Sequence, residues 1–205
     1  MPSFPRTILP LRFTRPRLAG PLLSVGQSGK PQVRSTLQVG WSWEETWGVL
    51  QAGDASVEAF LAQLENYWRS GTVLDMDHRS KRTLLGLGGG TPQVNGASQT
   101  GTTLATKLWP NSTAVLKAGD IFRVAGLNQA FQLTADATSD GAGLASLAIC
   151  PPIFVGGSPA ANAALTINTT PGLVTYRVLI VALEAPEATP PDFYGGLRVS
   201  VMETQ

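Results

Sequence analysis

Apolar and polar residues alternate most regularly between Leu116 and Pro152. The alternation predicts three short strands, at 120–124, 130–135 and 144–149. The connections between them are rich in Gly, Asn, Asp and Ser, which tolerate the backbone conformations of tight turns. Short strands joined by such turns predict an antiparallel sheet. Because these turns carry no reactive set of side chains, the pattern indicates a scaffold more than a catalytic site.

A second alternating stretch runs from residue 34 to residue 50 and predicts a strand with one strongly apolar face. The residues on that face are Trp41, Trp43, Glu45, Trp47 and Val49. Three tryptophans at a period of two favour core packing under a sheet. A subunit interface is the second interpretation, because tryptophan is common at buried protein contacts. A stacking platform for sugars or bases is the third.

A helical period follows this strand. Its apolar positions are Val57, Phe60, Leu61, Leu64 and Tyr67/Trp68. Asp54 is suited to cap the helix at its start, and Gly71 is suited to end it. The pattern predicts a helix over about 54–70 with one apolar face against a sheet.

The remaining segments predict how the chain is divided. The glycine-rich stretch 86–90 predicts a flexible hinge into an inserted β unit at 91–164. Two more strands are predicted at 173–183 and 196–203, separated by a loop at 185–191. Together these elements predict a mainly β fold with one helix, of the α+β class, that carries an insertion.

Charge is distributed unevenly, although the net charge is only +1. Residues 1–33 form an extended arm punctuated by proline and glycine, and residues 1–43 contain no acid. The bases in that stretch are Arg6, Arg12, Arg15, Arg17, Lys30 and Arg34. From Asp120 onwards, seven acids stand against three arginines. This polarity could steer the basic start of one copy onto the acidic end of another; the alternative is an arm that stays solvated.

Composition narrows the class of protein. Hydrophobic residues make up 43% of the chain and charged residues only 14%. Few charges together with many turn-forming residues are typical of an all-β protein whose surface is partly covered by partners. The balanced net charge gives no general attraction to nucleic acid, and no apolar run approaches the length of a membrane span.

Candidate metal or thiol chemistry is weak. His78 is the single histidine, and Asp75, Asp77 and His78 would need a second cluster to complete a metal shell. A solvated polar loop is the better interpretation. Cys150 ends an apolar strand and is interpreted as a small buried hydrophobe. We therefore expect no metal, no cofactor and no thiol chemistry.

Other catalytic patterns are missing as well. Glu44 and Glu45 are adjacent on a predicted strand, so they point to opposite faces and cannot act as an acid/base pair. The glycines at 86–90 are not followed by the Lys-Ser/Thr of a phosphate-binding loop. The sequence predicts no catalytic residues, and the protein is not expected to be an enzyme.

The order of several loose motifs, from about Leu37 to the end of the chain, resembles a known group of proteins. The motifs are Trp41 and Trp43 on one strand; 60–64 with 68–72 around the end of the helix; 96–104; 116–120 (LKAGD); 134–143 (TADATSDGAG); Pro151 and Pro152; and 201–203. In this order they resemble tail proteins of long-tailed, non-contractile bacteriophages, in particular short relatives of the distal tail protein at the tail tip. The middle motifs also resemble stretches of capsid and other virion proteins. A head decoration protein or head-to-tail connector therefore stays as an alternative.

The resemblance implies a structural virion protein without catalysis or cofactors, located at the tail tip and made in the cytoplasm of the bacterial host. Such proteins look like six-fold rings that end the tail tube and connect it to hub and fibre proteins. The implied partners are therefore copies of the chain itself, the tube, the hub and the fibres, with no membrane and no specific nucleic acid. The implied fold is an antiparallel β-sandwich-like ring domain, at 34–90 and 165–205, carrying a small β-barrel-like domain at 91–164.

Subunit contacts, or the core beneath them, are assigned to two sets of residues. They are Arg12, Arg15 and Arg17 in the arm, and Trp41, Trp43 and Trp47 on the strand. The competing class is a glycan-binding β module for host recognition, in which Trp109 or the face with Trp41 and Trp47 would stack on sugars. A hydrolase is disfavoured by the scarcity of His, Cys and paired acids, while a cellular β-protein stays open.

Overall fold

The computed structural model describes residues 1–18, 22–25, 31–34, 40–77, 83–154, 156–170, 173–189 and 192–204. In this part of the chain the fold is mainly β with one helix, α1 (Ala55–Ser70), as the sequence predicts. In chain order the strands are β1 (Arg12–Phe13), β2 (Arg17–Leu18), β3 (Leu22–Val25), β4 (Pro31–Arg34), β5 (Trp41–Thr46), β6 (Leu50–Gln51), β7 (Leu74–Asp77), β8 (Gln93–Val94), β9 (Gly101–Lys107), β10 (Ala114–Leu116), β11 (Ile121–Val124), β12 (Ala130–Leu133), β13 (Ala137–Thr138), β14 (Ala145–Ile153), β15 (Leu165–Ile167), β16 (Thr175–Glu184), β17 (Glu187–Thr189), β18 (Phe193–Gly195) and β19 (Arg198–Glu203).

The chain forms two compact units. Unit 1 comprises the described residues within 1–17, 40–80 and 176–204, and unit 2 those within 18–39 and 81–175. The long middle stretch of unit 2 thus interrupts unit 1 between β7 and β16.

Unit 1 is built on a six-stranded sheet in the order β1–β5–β19–β16–β7, with β2 also beside β5. The strands predicted at 173–183 and 196–203 are confirmed as β16 and β19, which pair antiparallel. At the far edge the first residues of the chain add to β7: Ser3 bridges Asp75 in parallel, and Phe4 N donates to Asp75 O at 2.9 Å.

Part of the N-terminal segment that was predicted as an extended arm lies along this sheet. β1 runs antiparallel to β5, with Arg12 opposite Thr46. Leu11 N donates to Thr46 O at 2.8 Å, and Thr14 N donates to Glu44 O at 2.9 Å. Further along the same segment, β3 and β4 pair with each other, while residues 19–21 and 26–30 lie outside the described residues.

One face of the unit 1 sheet is buried and α1 packs on it. The helix begins after Asp54, whose carboxylate accepts from Ser56 N at 2.7 Å, and ends at Gly71, which has a φ of 60°. Its buried side chains are Val57, Phe60 and Leu64. The Phe60 ring lies 5.5 Å from the ring of Trp47, which joins helix and sheet.

Two details of the predicted apolar faces were wrong. Trp68 lies outside the buried helix face and is 44% exposed. Val49 does not continue the tryptophan face: β5 ends at Thr46, the chain leaves its strand course, and Val49 is 72% exposed. Of the strand predicted over 34–50, residues 35–39 lie outside the described residues.

Unit 2 contains a six-stranded sheet, in the order β15–β11–β12–β14–β9–β8, that curls into a nearly closed barrel. The three strands predicted at 120–124, 130–135 and 144–149 are confirmed as β11, β12 and β14, all antiparallel neighbours. An antiparallel bridge between Gln93 and Ala164 and a bond from Leu165 N to Pro92 O (2.9 Å) join the two edges. Phe122 and Phe131 stack in the interior with ring centroids 5.7 Å apart.

The glycine-rich segment 86–90 was wrongly predicted as a flexible hinge. Leu87 N donates to Ala114 O (3.1 Å) and Gly88 N donates to Val115 O (2.8 Å), so the segment is hydrogen-bonded along β10. A Cβ on Gly86 would lie 2.5 Å from the Leu116 Cα, and Gly88, Gly89 and Gly90 all have positive φ. These glycines allow close approach of the backbone and tight turns.

The prediction of a loop at 185–191 was also wrong in part. β17 lies within this segment and pairs with β18.

Candidate functional site

The strongest candidate surface is the edge of the unit 1 sheet formed by residues 11–17, which we call the basic edge. It includes β1 and the start of β2, and in the part of the chain that the structure describes it lies beside β5 alone. Arg12, Arg15 and Arg17 are all exposed on it. The structure thus brings together the three arginines that the sequence singles out.

The positive charge of the basic edge is not balanced within the described residues. The other arginines of unit 1 that lie near β strands do have acidic neighbours: Arg6 contacts Glu45 and Asp77, Arg177 lies 4.0 Å from Asp75, and Arg198 lies 3.3 Å from Glu44 and 3.6 Å from Glu184. Arg12, Arg15 and Arg17 form no ion pair in that part of the chain. Their charge is therefore available to a partner.

Exposed apolar side chains accompany these arginines. Leu9 is 66% exposed and Leu11 is 70% exposed. Leu11 lies over Gly48, where an added Cβ would be 3.3 Å from the leucine Cδ2, and exposed Val49 follows directly in the chain. Large aliphatic groups next to unbalanced charge are typical of a protein contact.

The predicted tryptophan face lies inside unit 1. Trp41, Trp43 and Trp47 are no more than 6% exposed. Trp47 Nε1 donates to Ile8 O at 3.2 Å, and the Trp43 ring meets the ring of Tyr176 edge to face at 5.1 Å. Of the interpretations given to this face, the structure agrees with core packing, because these side chains leave almost no surface for a partner subunit or a sugar.

Trp109 is also unsuited to be a stacking platform. It is 4% exposed in the interior of unit 2, and its Nε1 donates to Thr106 Oγ1 at 2.8 Å. A sugar-binding site built on Trp109 would require a ring face in solvent, so this part of the glycan-binding interpretation was wrong.

A second surface of unit 1 has the opposite charge. The hairpin of β17 and β18, which we call the acidic hairpin, carries exposed Glu187 and Asp192, and neither forms an ion pair within the described residues. Segments 47–68 and 178–197, which include β6, β18 and most of α1, contain six acids and no Lys or Arg. Phe193, next to Asp192, is 45% exposed. The sequence shows the acidic end of the chain, but the pairing that places this hairpin beside β6 could not be read from it.

At the same end of unit 1, two side chains join the hairpin to the helix. Glu58 Oε1 accepts from Gly53 N at 3.1 Å, and the hydrogen bond that the Tyr194 hydroxyl donates to the Glu58 carboxylate raises the pKa of Tyr194. Asp192 O accepts from Ala52 N at 2.9 Å. These bonds hold the hairpin against the start of the helix.

The aspartates of the LKAGD and TADATSDGAG motifs in unit 2 accept hydrogen bonds from backbone amides in turns. Asp120 is buried and accepts from three backbone groups, Leu85 N at 2.7 Å, Gly86 N at 3.0 Å and Lys117 N at 2.8 Å. Asp136 accepts from Ala118 N at 2.8 Å. Carboxylates used in this way satisfy backbone donors, so the LKAGD and TADATSDGAG motifs are explained by the scaffold.

Asp140 does the same in the next turn, where it accepts from Ala142 N at 2.8 Å and from Leu144 N at 2.9 Å. Sequence reasoning recognised the turn composition but missed these bonds. An Asp followed closely by Gly is the signal that could have indicated them.

The weak candidates for chemistry are dispersed. His78 lies outside the described residues, and Asp77 is bound by Arg6 at 3.2 Å. Glu44 and Glu45 do point to opposite faces, with Glu45 buried and Glu44 beside Arg198. Cys150 was expected to be a buried hydrophobe but is only half-buried. Its partial burial raises the pKa of the thiol.

The described residues contain no group of three or more His, Cys, Asp or Glu arranged to hold a metal ion. The one helix in this part of the chain is too short and too polar to cross a membrane.

Comparisons with known proteins add no family to this description. No protein-family model matches the sequence, and none of the curated proteins matches it significantly. The motifs in the sequence and the surfaces of unit 1 are therefore the features that bear on function.

Proposed function

We propose that the chain is a structural virion protein of a phage tail tip, where copies form a ring that ends the tail tube and connects it to hub and fibre proteins. The observation that carries the proposal is the basic edge, where three exposed arginines without ion pairs among the described residues, and exposed leucines beside them, lie at the edge of the unit 1 sheet. In a ring, a neighbouring subunit would cover these side chains.

The distribution of charge over the surface of unit 1 supports a ring in particular. A closed ring of identical subunits needs two different surfaces per subunit that fit each other. Unit 1 offers a basic edge and an acidic hairpin, each with exposed apolar side chains. The low fraction of charged residues, 14%, also fits a protein whose surface is partly covered.

Unit 2 supports the structural role in a different way. The motifs by which the chain resembles phage proteins lie mainly in this unit, and their aspartates hold turns of a barrel. A barrel of this kind offers a surface on which hub or fibre proteins could bind.

The proposal is tested by locating the protein in the particle. Virions of the phage that encodes the chain, carrying an affinity tag on it and labelled with gold, should show label at the tail tip in negative-stain images. Label on the capsid or at the head-to-tail junction would contradict the tail-tip proposal and favour a head decoration protein or connector. Particles without label would contradict a virion role altogether.

The glycan-binding alternative is tested separately. Titration of cell-wall sugars should leave the tryptophan fluorescence unchanged, because four of the five tryptophans are buried. The exposed Trp68 provides the internal control, since a Trp68→Phe variant shows whether any change comes from the helix surface. A saturable change that persists in this variant would favour the glycan-binding class.

A further inference from the structure

We propose that the copies join head to tail, with the basic edge of one subunit against the acidic hairpin of the next. This inference rests on the proposed ring and adds the two surfaces that meet in it. The partner is therefore a second copy of this chain, recognised by Arg12, Arg15 and Arg17 on one side and by Glu187 and Asp192 on the other.

Unbalanced charge distinguishes these two surfaces from the ion-paired arginines of unit 1. Arg6, Arg177 and Arg198 already lie within 4.0 Å of carboxylates of their own chain, so they have less to offer a partner. The three arginines of the basic edge, and Glu187 and Asp192, form no ion pairs within the described residues and are exposed. Opposite potentials on two such surfaces steer association and disfavour contacts of edge with edge or hairpin with hairpin.

Apolar side chains give the contact a dry centre. Leu9 and Leu11 accompany the arginines, and Phe193, 45% exposed, stands next to Asp192. Burial of such groups supplies affinity while the surrounding charges set the register. The aliphatic Leu9 and Leu11 beside the arginines also favour a protein partner over a phosphate backbone, which arginines alone would suit.

Each surface occurs once in each subunit and lies on different strands. The basic edge belongs to β1 and β2, whereas the acidic hairpin belongs to β17 and β18. A contact between unlike surfaces is heterologous, and repeated with a closing rotation it gives a ring.

The test uses two charge-reversed proteins. The edge variant carries Arg12→Glu, Arg15→Glu and Arg17→Glu, and the hairpin variant carries Glu187→Lys and Asp192→Lys. In each variant alone, both surfaces have the same sign, and we expect at least about a hundredfold weaker association than in the wild type. In an equimolar mixture every edge again meets a hairpin of opposite sign, so assembly should recover. Sedimentation velocity measures all three samples, and circular dichroism verifies that both variants fold.

The outcomes separate this inference from the proposed function. If the wild type forms rings and either variant alone does so equally well, or if the mixture stays dissociated, the edge-to-hairpin contact is wrong while the ring stands. If the wild type and the mixture are both monomeric at every concentration tested, the ring itself fails, and the contact fails with it. If each variant alone stays dissociated and the mixture assembles as the wild type does, the result supports both the ring and the edge-to-hairpin contact.

Discussion

Arg6 Nη1 lies 2.7 Å from Glu45 Oε2, and Glu45 is completely buried under the unit 1 sheet. The same guanidinium donates from Nε to Asp77 Oδ1 at 3.2 Å and from Nη2 to Asp77 O at 2.7 Å. It also lies over the ring of Phe4, 4.9 Å from the centroid. One N-terminal arginine thus fastens the start of the chain to β5 and to β7 at once.

Replacement of Arg6 should therefore destabilise unit 1. Arg6→Ala leaves the buried Glu45 without its arginine, and we expect a loss of about 3 kcal/mol in the free energy of unfolding. Urea denaturation followed by tryptophan fluorescence reports on this unit, which contains Trp41, Trp43, Trp47 and Trp68. Arg15→Ala is the matched control, because an exposed arginine on the basic edge should change stability by less than about 0.5 kcal/mol. If Arg6→Ala and Arg15→Ala have the same free energy of unfolding, the Arg6 contacts contribute little to the stability of unit 1.

The tryptophans allow a second matched pair. Trp47→Ala removes a ring that is 2% exposed and packs against Phe60, and it should cost about 3–5 kcal/mol. Trp68→Ala removes a ring that is 44% exposed on the helix surface. Its effect should be several times smaller. Thermal melting of both variants checks this, and a larger loss for Trp68→Ala would contradict the assignment of the core.

Local patterns predicted α1 and the strands β5, β16 and β19 of unit 1, but not its shorter strands. The period of the helix and its caps at Asp54 and Gly71 are local properties, and the helix is found where they indicate. The role of Arg6 could not be predicted, because its partners lie 39 and 71 residues away in the sequence. For the same reason, the count of charges along the sequence grouped Arg6 with the arginines of the basic edge. In the fold, Arg6 is the one among them that forms ion pairs within the described residues.

In unit 2 the glycine at position 86 should be intolerant of any side chain. A Cβ there would lie 2.5 Å from both Leu116 Cα and Val115 O, so Gly86→Ala must displace backbone. We expect a loss of about 1–3 kcal/mol. Gly141→Ala is the control, because a Cβ at that turn would meet nothing within 4 Å. Differential scanning calorimetry distinguishes them. If Gly86→Ala melts like Gly141→Ala, then segment 86–90 does not lie tightly along β10 in solution.

That segment also shows where sequence reasoning reached its limit. Five residues with four glycines and one leucine are compatible with a hinge and equally with a tightly packed strip of backbone. What decides between them is Asp120, which accepts from the amides of Leu85 and Gly86 and fixes the strip. The sequence identified the three arginines of the candidate surface, but their position beside β5 and their lack of ion pairs among the described residues emerge only from the fold.

Unit 1 should lose stability at alkaline pH through Tyr176. Burial, and then the nearby Glu203 carboxylate, raise the pKa of Tyr176 well above its ordinary value. The folded state therefore holds the neutral phenol. The resulting stability is complete below the unfolded pKa of about 10 and is lost as the pH rises above it. Free energies of unfolding measured across this range should fall more steeply for the wild type than for Tyr176→Phe. An unchanged slope in Tyr176→Phe would contradict the burial of this phenol.

The mass of the purified 205-residue protein in solution tests the proposed ring. Light scattering should give the mass of a closed ring, expected to contain six copies of the 21.6 kDa chain, and negative-stain images of the same sample should show rings with a central opening. The assembled fraction should decrease as salt screens the charged surfaces. A mass of one chain at every protein concentration and at low salt, with no rings in the images, would contradict the proposed ring.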